Sequence, residues 1–158
     1  MARIYLGLGS NLGDKKENIQ RALNEIAERI GEVISVSAFY ETAPWGFESE
    51  NSFINIAAAV DTGLQPRKVM EAGQDIEKLM GRVPRSMEAG YADRIIDIDL
   101  LLYDDLIIDQ EDLIIPHPLM TDRAFVMEPM MDIAPEVIHP VFNMKLKELS
   151  DLPGKPAT

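Results

Sequence analysis

The sequence contains no cysteine, which excludes disulfide bonds, thiol nucleophiles and zinc sites built from cysteine. It also has no apolar run of the roughly 20 residues that a membrane-spanning helix needs. Its N-terminus shows no signal-peptide pattern. We therefore expect a soluble, cytoplasmic protein.

Basic residues are scarce. The formal net charge is −12, which argues against nucleic-acid binding, because phosphate backbones require a basic surface. Lysine is absent between Leu79 and Met144, and the basic residues of that span are Arg82, Arg85, Arg94 and Arg123. Arginines without neighbouring lysines indicate planar recognition of a carboxylate or a phosphate. Ion pairs with surface acids are the alternative, and composition does not decide between the two.

The length and the apolar content are those of one folded domain. At 158 residues, with 46% hydrophobic residues, the chain is long enough to bury a full core. No internal repeat, low-complexity run or linker divides it, so we expect a single domain over residues 1–158.

A strongly β-forming stretch runs from Arg94 to Tyr103, and two aspartates interrupt its apolar residues. Asp97 and Asp99 share a face in a strand and lie roughly 7 Å apart along it. Two neighbouring carboxylates repel each other and are costly to bury, so a positive group is expected beside them. Mg²⁺ is commonly held by one or two carboxylates together with substrate phosphates. The alternative is an edge strand whose aspartates face water.

The remaining patterns predict an α+β domain with ferredoxin-like topology. Strands are predicted at 4–8, 33–40, 53–60 and 94–103, and helices at 14–30, 65–80 and 120–131. The leading β-α-β-β-α-β order is typical of an antiparallel sheet with two helices on one face, which leaves the other face for a site under loops. We expect 106–108 to turn back at Asp104 and Asp105 as the second half of a hairpin with the aspartate strand. A C-terminal extension is expected to pack at the periphery.

Several residues stand out by their position. Trp45 lies in a long loop at 41–51, a length typical of a functional loop or lid. Asn55 interrupts an apolar strand, where its amide either meets the edge of a heterocycle or bonds to neighbouring backbone. His117 stands between two prolines and cannot be helical, and a structural role is the alternative to a catalytic one. The glycine-rich turn at 9–14 matches neither the phosphate-binding loop nor the dinucleotide motif.

The second predicted helix has an apolar stripe and two polar residues beside it. Gln74 and Glu77 lie off the stripe, so they are candidates to face a site. The stripe consists of Val69, Ala72, Ile76, Leu79 and Met80.

Seven short motifs follow one another along the chain. They are Gly9-Ser10-Asn11-Leu12-Gly13-Asp14, Tyr40-x-Thr42-x-Pro44-x-Gly46, Phe53-x-Asn55, Gly81-Arg82, Arg94-x-x-Asp97-x-Asp99, Pro116-His117-Pro118 and Arg123-x-Phe125-Val126. Together they resemble the 6-hydroxymethyl-7,8-dihydropterin pyrophosphokinases of folate biosynthesis, over about residues 3–137. The resemblance implies a catalytic domain that transfers the terminal pyrophosphate of ATP to the hydroxymethyl oxygen of the pterin and releases AMP.

The resemblance also implies roles for individual residues. Two Mg²⁺ ions are expected on Asp97 and Asp99, which with Arg82 and Arg94 form the expected catalytic set. The pterin is expected between Phe53 and Phe125, with its hydrogen-bonding edge against Thr42, Pro44, Trp45, Gly46 and Asn55. ATP is expected to contact Gln74, Glu77, Arg82, Arg85, Arg94, Ile98, His117 and Arg123. No general base is evident, so positioning and electrostatics are expected to dominate.

The chain departs from the common family pattern in one segment. Residues 83–94 number about two more than usual, and Tyr91 stands where many members have tryptophan. Pro118 stands where many have tyrosine. Which arginine of 82–94 closes on ATP therefore stays open.

The expected partners are the small molecules ATP and the pterin. We expect a monomer that binds neither nucleic acid nor membrane. Two other hypotheses remain open, namely a non-catalytic ligand-binding module and an inactive relative of the enzymes.

Overall fold

The computed structural model describes residues 1–42, 52–81 and 95–150. Six residues with predicted roles lie outside these ranges, namely Pro44, Trp45, Gly46, Arg82, Arg85 and Arg94. The site described below is therefore built from the remaining predicted residues.

The described residues form nine strands and four α-helices. The strands are β1 (Ala2–Ser10), β2 (Gly31–Val36), β3 (Tyr40–Thr42), β4 (Phe53–Thr62), β5 (Asp97–Tyr103), β6 (Ile108–Gln110), β7 (Leu113–Ile115), β8 (Ile138–His139) and β9 (Met144–Lys145). The helices are α1 (Lys15–Arg29), α2 (Pro66–Leu79), α3 (Ala124–Ile133) and α4 (Leu146–Ser150), with a 3₁₀ turn at Met120–Asp122. No helix of these described ranges is both long and apolar enough to cross a lipid bilayer.

Local sequence signals explain where the first two helices begin. The Asp14 side chain accepts a hydrogen bond from the backbone N–H of Glu17 and so caps α1. Pro66 occupies the first turn of α2, where a missing N–H costs nothing. Gly81, just beyond that helix, has a φ of +100°, a left-handed conformation that favours glycine at a helix end.

The central sheet is antiparallel, with the order β2-β4-β1-β5 and with β3 also paired to β4. Both α1 and α2 pack on one face, where Ile19, Ile26 and Ile76 are fully buried against the strands. The predicted α+β, ferredoxin-like arrangement is therefore confirmed, and β3 is an added short strand within the predicted 33–40 and 41–51 segments.

The opposite face of the sheet is only partly open. Met127 and Met130 of α3 pack there with Ala57 and Leu101, and Leu146 and Leu149 of α4 complete this second core. Leu146 is fully buried, so the expectation that the C-terminal segment packs at the periphery was wrong. The apolar surface that α3 adds gives α4 a place to bury both leucines.

The prediction that residues 106–108 pair with β5 in a hairpin was also wrong. The chain does turn at Asp104, which has a positive φ, and the Leu106 N–H donates a hydrogen bond to the Tyr103 carbonyl. The chain then continues away, and β6 pairs with β7 instead of with β5. The outer edge of β5 receives a backbone hydrogen bond from His117 N–H to the Leu101 carbonyl at 2.9 Å. The segment after β7 therefore contacts that edge.

Candidate active site

The floor of the site is the centre of the sheet, where β1 lies between β4 and β5. Directly paired residues of antiparallel strands project to the same face. The two adjacent rows on the open face are Asn55, Gly9 and Asp97, and Ala57, Gly7 and Asp99. Because the middle residue of each row is glycine, no side chain of β1 separates Asn55 of β4 from the two aspartates of β5.

Gly9 leaves room for the amide of Asn55. A Cβ at this position would lie 2.7 Å from Asn55 Oδ1 and 3.6 Å from a ring carbon of Phe53. The first distance is shorter than real Cβ contacts allow, so any side chain here displaces Asn55. The glycine therefore sets the shape of the floor.

Aromatic and polar side chains surround this floor in a first pocket. Phe53 comes from β4 and Phe125 from α3, and both line the pocket together with Thr42 and Asn55. The Asn55 amide is buried and its Nδ2 donates to Thr42 Oγ1 at 3.3 Å. These four are all the described residues that the sequence predicted for the pterin, and the structure brings them together.

Arg123 links the aromatic part of the first pocket to its acidic part. It precedes α3, and its guanidinium carbon lies 5.5 Å from the centre of the Phe125 ring. It lines the same pocket as both aspartates. A cation in this position is suited to attract an anionic group above the carboxylates.

Asp97 and Asp99 are half-buried in the wall of the first pocket. Their strand is the sheet edge, as the alternative interpretation had it, but the carboxylates face Asn55 and Arg123 across a pocket. Within residues 1–42, 52–81 and 95–150 no group of three or more acidic or histidine side chains could hold a metal ion. Two carboxylates on one strand fit Mg²⁺, because this ion is usually held by one or two carboxylates plus water and substrate phosphates.

A second pocket lies on the outer side of β5. Gln74 of α2, Ile98 of β5 and His117 line it, and all three were predicted to contact ATP. Asp99 lines this pocket as well as the first one. The two pockets therefore meet at the edge strand that carries both aspartates.

His117 is held by its backbone and by its ring. The Leu119 N–H donates to His117 Nδ1 at 3.3 Å. This contact makes Nδ1 an acceptor, so the proton of the neutral ring is on Nε2. The chain around β5 thus fixes the place of the imidazole and supplies a backbone donor to Nδ1.

Glu77, which was predicted to contact ATP, is buried. It is 3% exposed and is not among the residues lining either pocket. Its Oε2 accepts a hydrogen bond from the backbone N–H of Ile98 at 2.8 Å. Leu79, predicted for the apolar stripe of α2, is half exposed instead.

The row of α2 that faces β5 contains Gly73 and Glu77. Gly73 is buried, and a Cβ there would lie 3.5 Å from Ile98 Cγ2. The small residue lets the strand approach the helix. The Ile98 side chain is accordingly buried between them, although part of it also lines the second pocket.

Sequence reasoning missed several pocket residues. Met70 and Leu100 line the second pocket, and Gly7 and Val126 line the first. Met70 lies four residues before Gln74 on α2, so helical spacing places the two on one face and could have found it. The role of Gly7 depends on which strands flank β1, and no local pattern gives that.

A family model described as 7,8-dihydro-6-hydroxymethylpterin-pyrophosphokinase matches residues 5–135, most of the chain. The chain belongs to this pyrophosphokinase family. A 2-amino-4-hydroxy-6-hydroxymethyldihydropteridine pyrophosphokinase of Porphyromonas gingivalis is 43% identical over 141 residues, covering 89% of this chain and 95% of that protein. A protein of the same name from Aquifex aeolicus is 39% identical over 148 residues, covering 94% and 90%.

Other pyrophosphokinase relatives are much longer than this chain. A folic acid synthesis protein of Dictyostelium discoideum is 42% identical over 141 residues, covering 89% of this chain and 21% of that protein. The crystal structure of Plasmodium falciparum HPPK-DHPS with pteroate matches with a TM-score of 0.77 at 18% identity, covering 95% of this chain and 42% of that one. This chain therefore spans less than half of these two relatives, and the structural likeness confirms the fold.

Proposed function

We propose that the protein transfers the terminal pyrophosphate of ATP to the hydroxymethyl oxygen of 6-hydroxymethyl-7,8-dihydropterin and releases AMP, a step of folate biosynthesis. Membership of the pyrophosphokinase family supports this reaction. The structural observation that carries it is the meeting of two pockets at Asp99. A reaction between two substrates requires adjoining sites that share one reactive region.

The first pocket suits the pterin. Phe53 and Phe125 offer aromatic surfaces to a planar ring, and such stacking has preferred geometries. The Asn55 amide offers a donor and an acceptor to the ring edge, beside the Thr42 hydroxyl. Pro44, Trp45 and Gly46 follow Thr42 in the chain, and their contact with the pterin stays a prediction.

The second pocket suits the nucleotide. Ile98 and Leu100 provide apolar surface at the edge of β5, while Gln74 and His117 provide hydrogen-bonding groups. A triphosphate that starts here reaches the first pocket by passing Asp99, with Arg123 on the far side. The contributions of Arg82, Arg85 and Arg94 stay predictions.

Glu77 supports the nucleotide site indirectly in this proposal. Its carboxylate fixes the backbone of Ile98, the residue between the two aspartates. We therefore assign Glu77 to positioning the strand and not to direct contact with ATP.

Asp97 and Asp99 are the groups that would hold Mg²⁺, and we propose two ions. When bound, these ions neutralise the charge of the phosphate chain and of the attacking and leaving oxygens. The aspartates hold their position because β5 is paired with β1 on its inner side and is bound by Glu77. Asn55 and the aromatic pair hold the hydroxymethyl group towards the phosphates.

The bond changes need little acid–base help from the protein. The hydroxymethyl oxygen forms a bond to the β-phosphorus, the bond from that phosphorus to the α–β bridging oxygen breaks, and the hydroxyl proton goes to solvent. Among the described residues that line the first pocket, the ionisable ones are Asp97, Asp99 and Arg123. Catalysis then depends on alignment and on electrostatic stabilisation, as in other phosphoryl transfers.

The test follows the phosphorus products by ³¹P NMR, with ATP and Mg²⁺ in the presence and absence of the pterin. We expect AMP and the pterin pyrophosphate only when both substrates are present. Formation of ADP, or of AMP at the same rate without pterin, would contradict the proposal. Tight binding of both ligands by calorimetry with no AMP would instead favour a non-catalytic binding module.

A further inference from the structure

Asp132, on α3, binds the first residue of β3 and the segment just before it through both carboxylate oxygens. Its Oδ1 accepts a hydrogen bond from the Tyr40 hydroxyl at 2.8 Å. Its Oδ2 accepts one from the backbone N–H of Ala38 at 3.0 Å. The pKa of the Tyr40 hydroxyl is raised, chiefly because that hydroxyl donates to the Asp132 carboxylate. Both donors come from one short stretch of chain.

The two partners belong to elements that carry opposite parts of the first pocket. Tyr40 begins β3 and pairs directly with Asn55, while Thr42 pairs with Phe53 at the other end of the strand. Asp132 lies seven residues after Phe125 on α3. Residues seven apart lie on the same helical face, about 10 Å apart along the axis. The hydrogen bond therefore joins the face of α3 that carries Phe125 to the strands that carry Phe53.

The segment before Tyr40 is also fixed to the pocket floor. Ser37 N–H donates to the Ala57 carbonyl at 2.9 Å, and the Ala57 N–H donates to Ser37 Oγ at 2.9 Å. Ala57 lines the first pocket. Because this segment is held on both sides, its contact with Asp132 couples α3 directly to the floor.

We propose that Tyr40 and Asp132 form a positioning pair that sets the separation of Phe53 and Phe125, and thereby the affinity for the flat pterin ring. This inference rests on the proposed function for its substrate. The pair does not line the pocket and acts through the two rings. A planar ligand held on both faces needs a fixed gap, so a small shift of α3 weakens one stacking contact.

The experiment measures KM for each substrate in Tyr40→Phe, Asp132→Ala and the double variant. We expect KM for the pterin to rise about three- to tenfold in each, the range of one partly exposed hydrogen bond, with KM for ATP within about twofold of wild type. The double variant should be no worse than Asp132→Ala, because both changes remove the same contact. A milder variant, Asp132→Asn, keeps one acceptor and should fall between wild type and Asp132→Ala.

Two variants provide matched controls. Tyr103→Phe removes another tyrosine hydroxyl, which donates to the Leu64 carbonyl at 2.6 Å. Tyr103 packs against the core on the face of the sheet that α1 and α2 cover, away from the first pocket. Glu128→Ala removes an exposed carboxylate from α3, one turn before Asp132. Both should leave KM for the pterin unchanged.

The outcomes separate this inference from the reaction itself. Additive effects of the two single variants, or equal changes in both KM values, would overturn the positioning role while leaving the reaction intact. A wild-type enzyme that forms no pterin-dependent AMP would overturn the proposed function and the role of the pair together. Thermal midpoints identify a variant that has lost its fold, and Asp132→Asn then decides the question.

Discussion

The Glu77 carboxylate accepts a hydrogen bond from the backbone N–H of Ile98 at 2.8 Å, between the two aspartates of β5. Among the residues that the structure describes, β5 is the edge strand, and no neighbouring strand lies on its outer side to fix this N–H. The buried Glu77 carboxylate of α2 accepts the hydrogen bond of this N–H instead. The geometry of Asp97 and Asp99 thus depends on a residue that is not among those lining the first pocket.

Replacing Glu77 tests this dependence. Glu77→Ala leaves the Ile98 N–H without this acceptor, and we expect it to cost about 1–3 kcal/mol of unfolding free energy and to lower turnover. Glu77→Gln keeps an acceptor oxygen and should lose less of both. Urea denaturation and initial rates measure the two effects. Asp75→Ala, at an exposed position of the same helix, is the control and should change neither. Wild-type stability in Glu77→Ala would refute the anchoring role.

The aspartates themselves should be needed for turnover more than for folding. We expect Asp97→Asn and Asp99→Asn each to reduce kcat by at least about 100-fold, because charge stabilisation at the phosphates is lost. Far-UV circular dichroism and thermal midpoints should stay close to wild type. Asp105→Asn removes an exposed acid just beyond β5 and should keep full activity. Near-normal rates in both Asp97→Asn and Asp99→Asn would show that these aspartates do not hold the metal ions.

Magnesium titration gives a separate test of the same carboxylates. Since Mg²⁺ is held jointly by carboxylates and phosphates, Asp99→Asn should raise the Mg²⁺ concentration needed for binding of a non-hydrolysable ATP analogue. Calorimetric titrations at several Mg²⁺ concentrations measure the shift. The expectation fails if the analogue binds equally well to wild type and variant at low Mg²⁺.

We expect even the small side chain of Gly9→Ala to weaken pterin binding. The added methyl group of Gly9→Ala would lie 2.7 Å from Asn55 Oδ1 and must displace the amide. Loss of one hydrogen bond to the ring corresponds to about tenfold weaker pterin binding, with nucleotide binding little changed. Calorimetry with each ligand checks the split. Gly63→Ala is the matched control, because among the described residues no heavy atom other than those of Gly63 and its two chain neighbours lies within 4 Å of the added Cβ. Unchanged pterin affinity in Gly9→Ala would show that Asn55 does not hydrogen-bond to the edge of the pterin ring.

Glu136 should contribute an acid-sensitive increment of stability. Hydrogen bonds from Lys147 and Lys145 lower its pKa to about 2. A pKa depressed in the folded state stabilises the fold above the unfolded value and loses that contribution as the pH falls towards 2. The thermal midpoint of wild type should therefore exceed that of Glu136→Gln near pH 7, and the gap should close between about pH 5 and 2.

The size of this gap should depend on salt. Because the Glu136 carboxylate is solvent-exposed, salt screens its interactions with Lys145 and Lys147, and the difference in midpoint should be small and shrink further in 1 M salt. Glu32→Gln, at an exposed position of β2, is the control. A gap that persists at acidic pH would rule out the ion pairs as its cause.

Much of the site could be predicted because its signals are local. Asp97 and Asp99 lie on one face because successive strand residues alternate. Asn55 was conspicuous because an amide interrupts an apolar strand. The two large helices were found from their periodicity and from Asp14, Pro66 and the residues around them.

The errors arose where pairing partners are far apart in sequence. The stretch after Asp104 has strand-forming residues, but it pairs with β7 and not with β5. The C-terminal extension was expected to pack at the periphery, yet α3 provides the surface that buries Leu146. Glu77 was expected to face a site because it lies off the apolar stripe of α2, and only the packing of α2 against β5 showed that its buried carboxylate bonds to the backbone of Ile98.

The sequence by itself determined the β-α-β-β-α-β elements and their order, the shared face of the two aspartates and the motifs of the pyrophosphokinase family. These follow from short-range periodicity and from residue types at fixed spacing. Only the tertiary structure decided that β5 is an edge strand with a pocket on each side, that Gly9 separates Asn55 from Asp97, and that Asp132 reaches Tyr40. These relationships join residues distant in the chain, and they depend on which surfaces the folded core brings together.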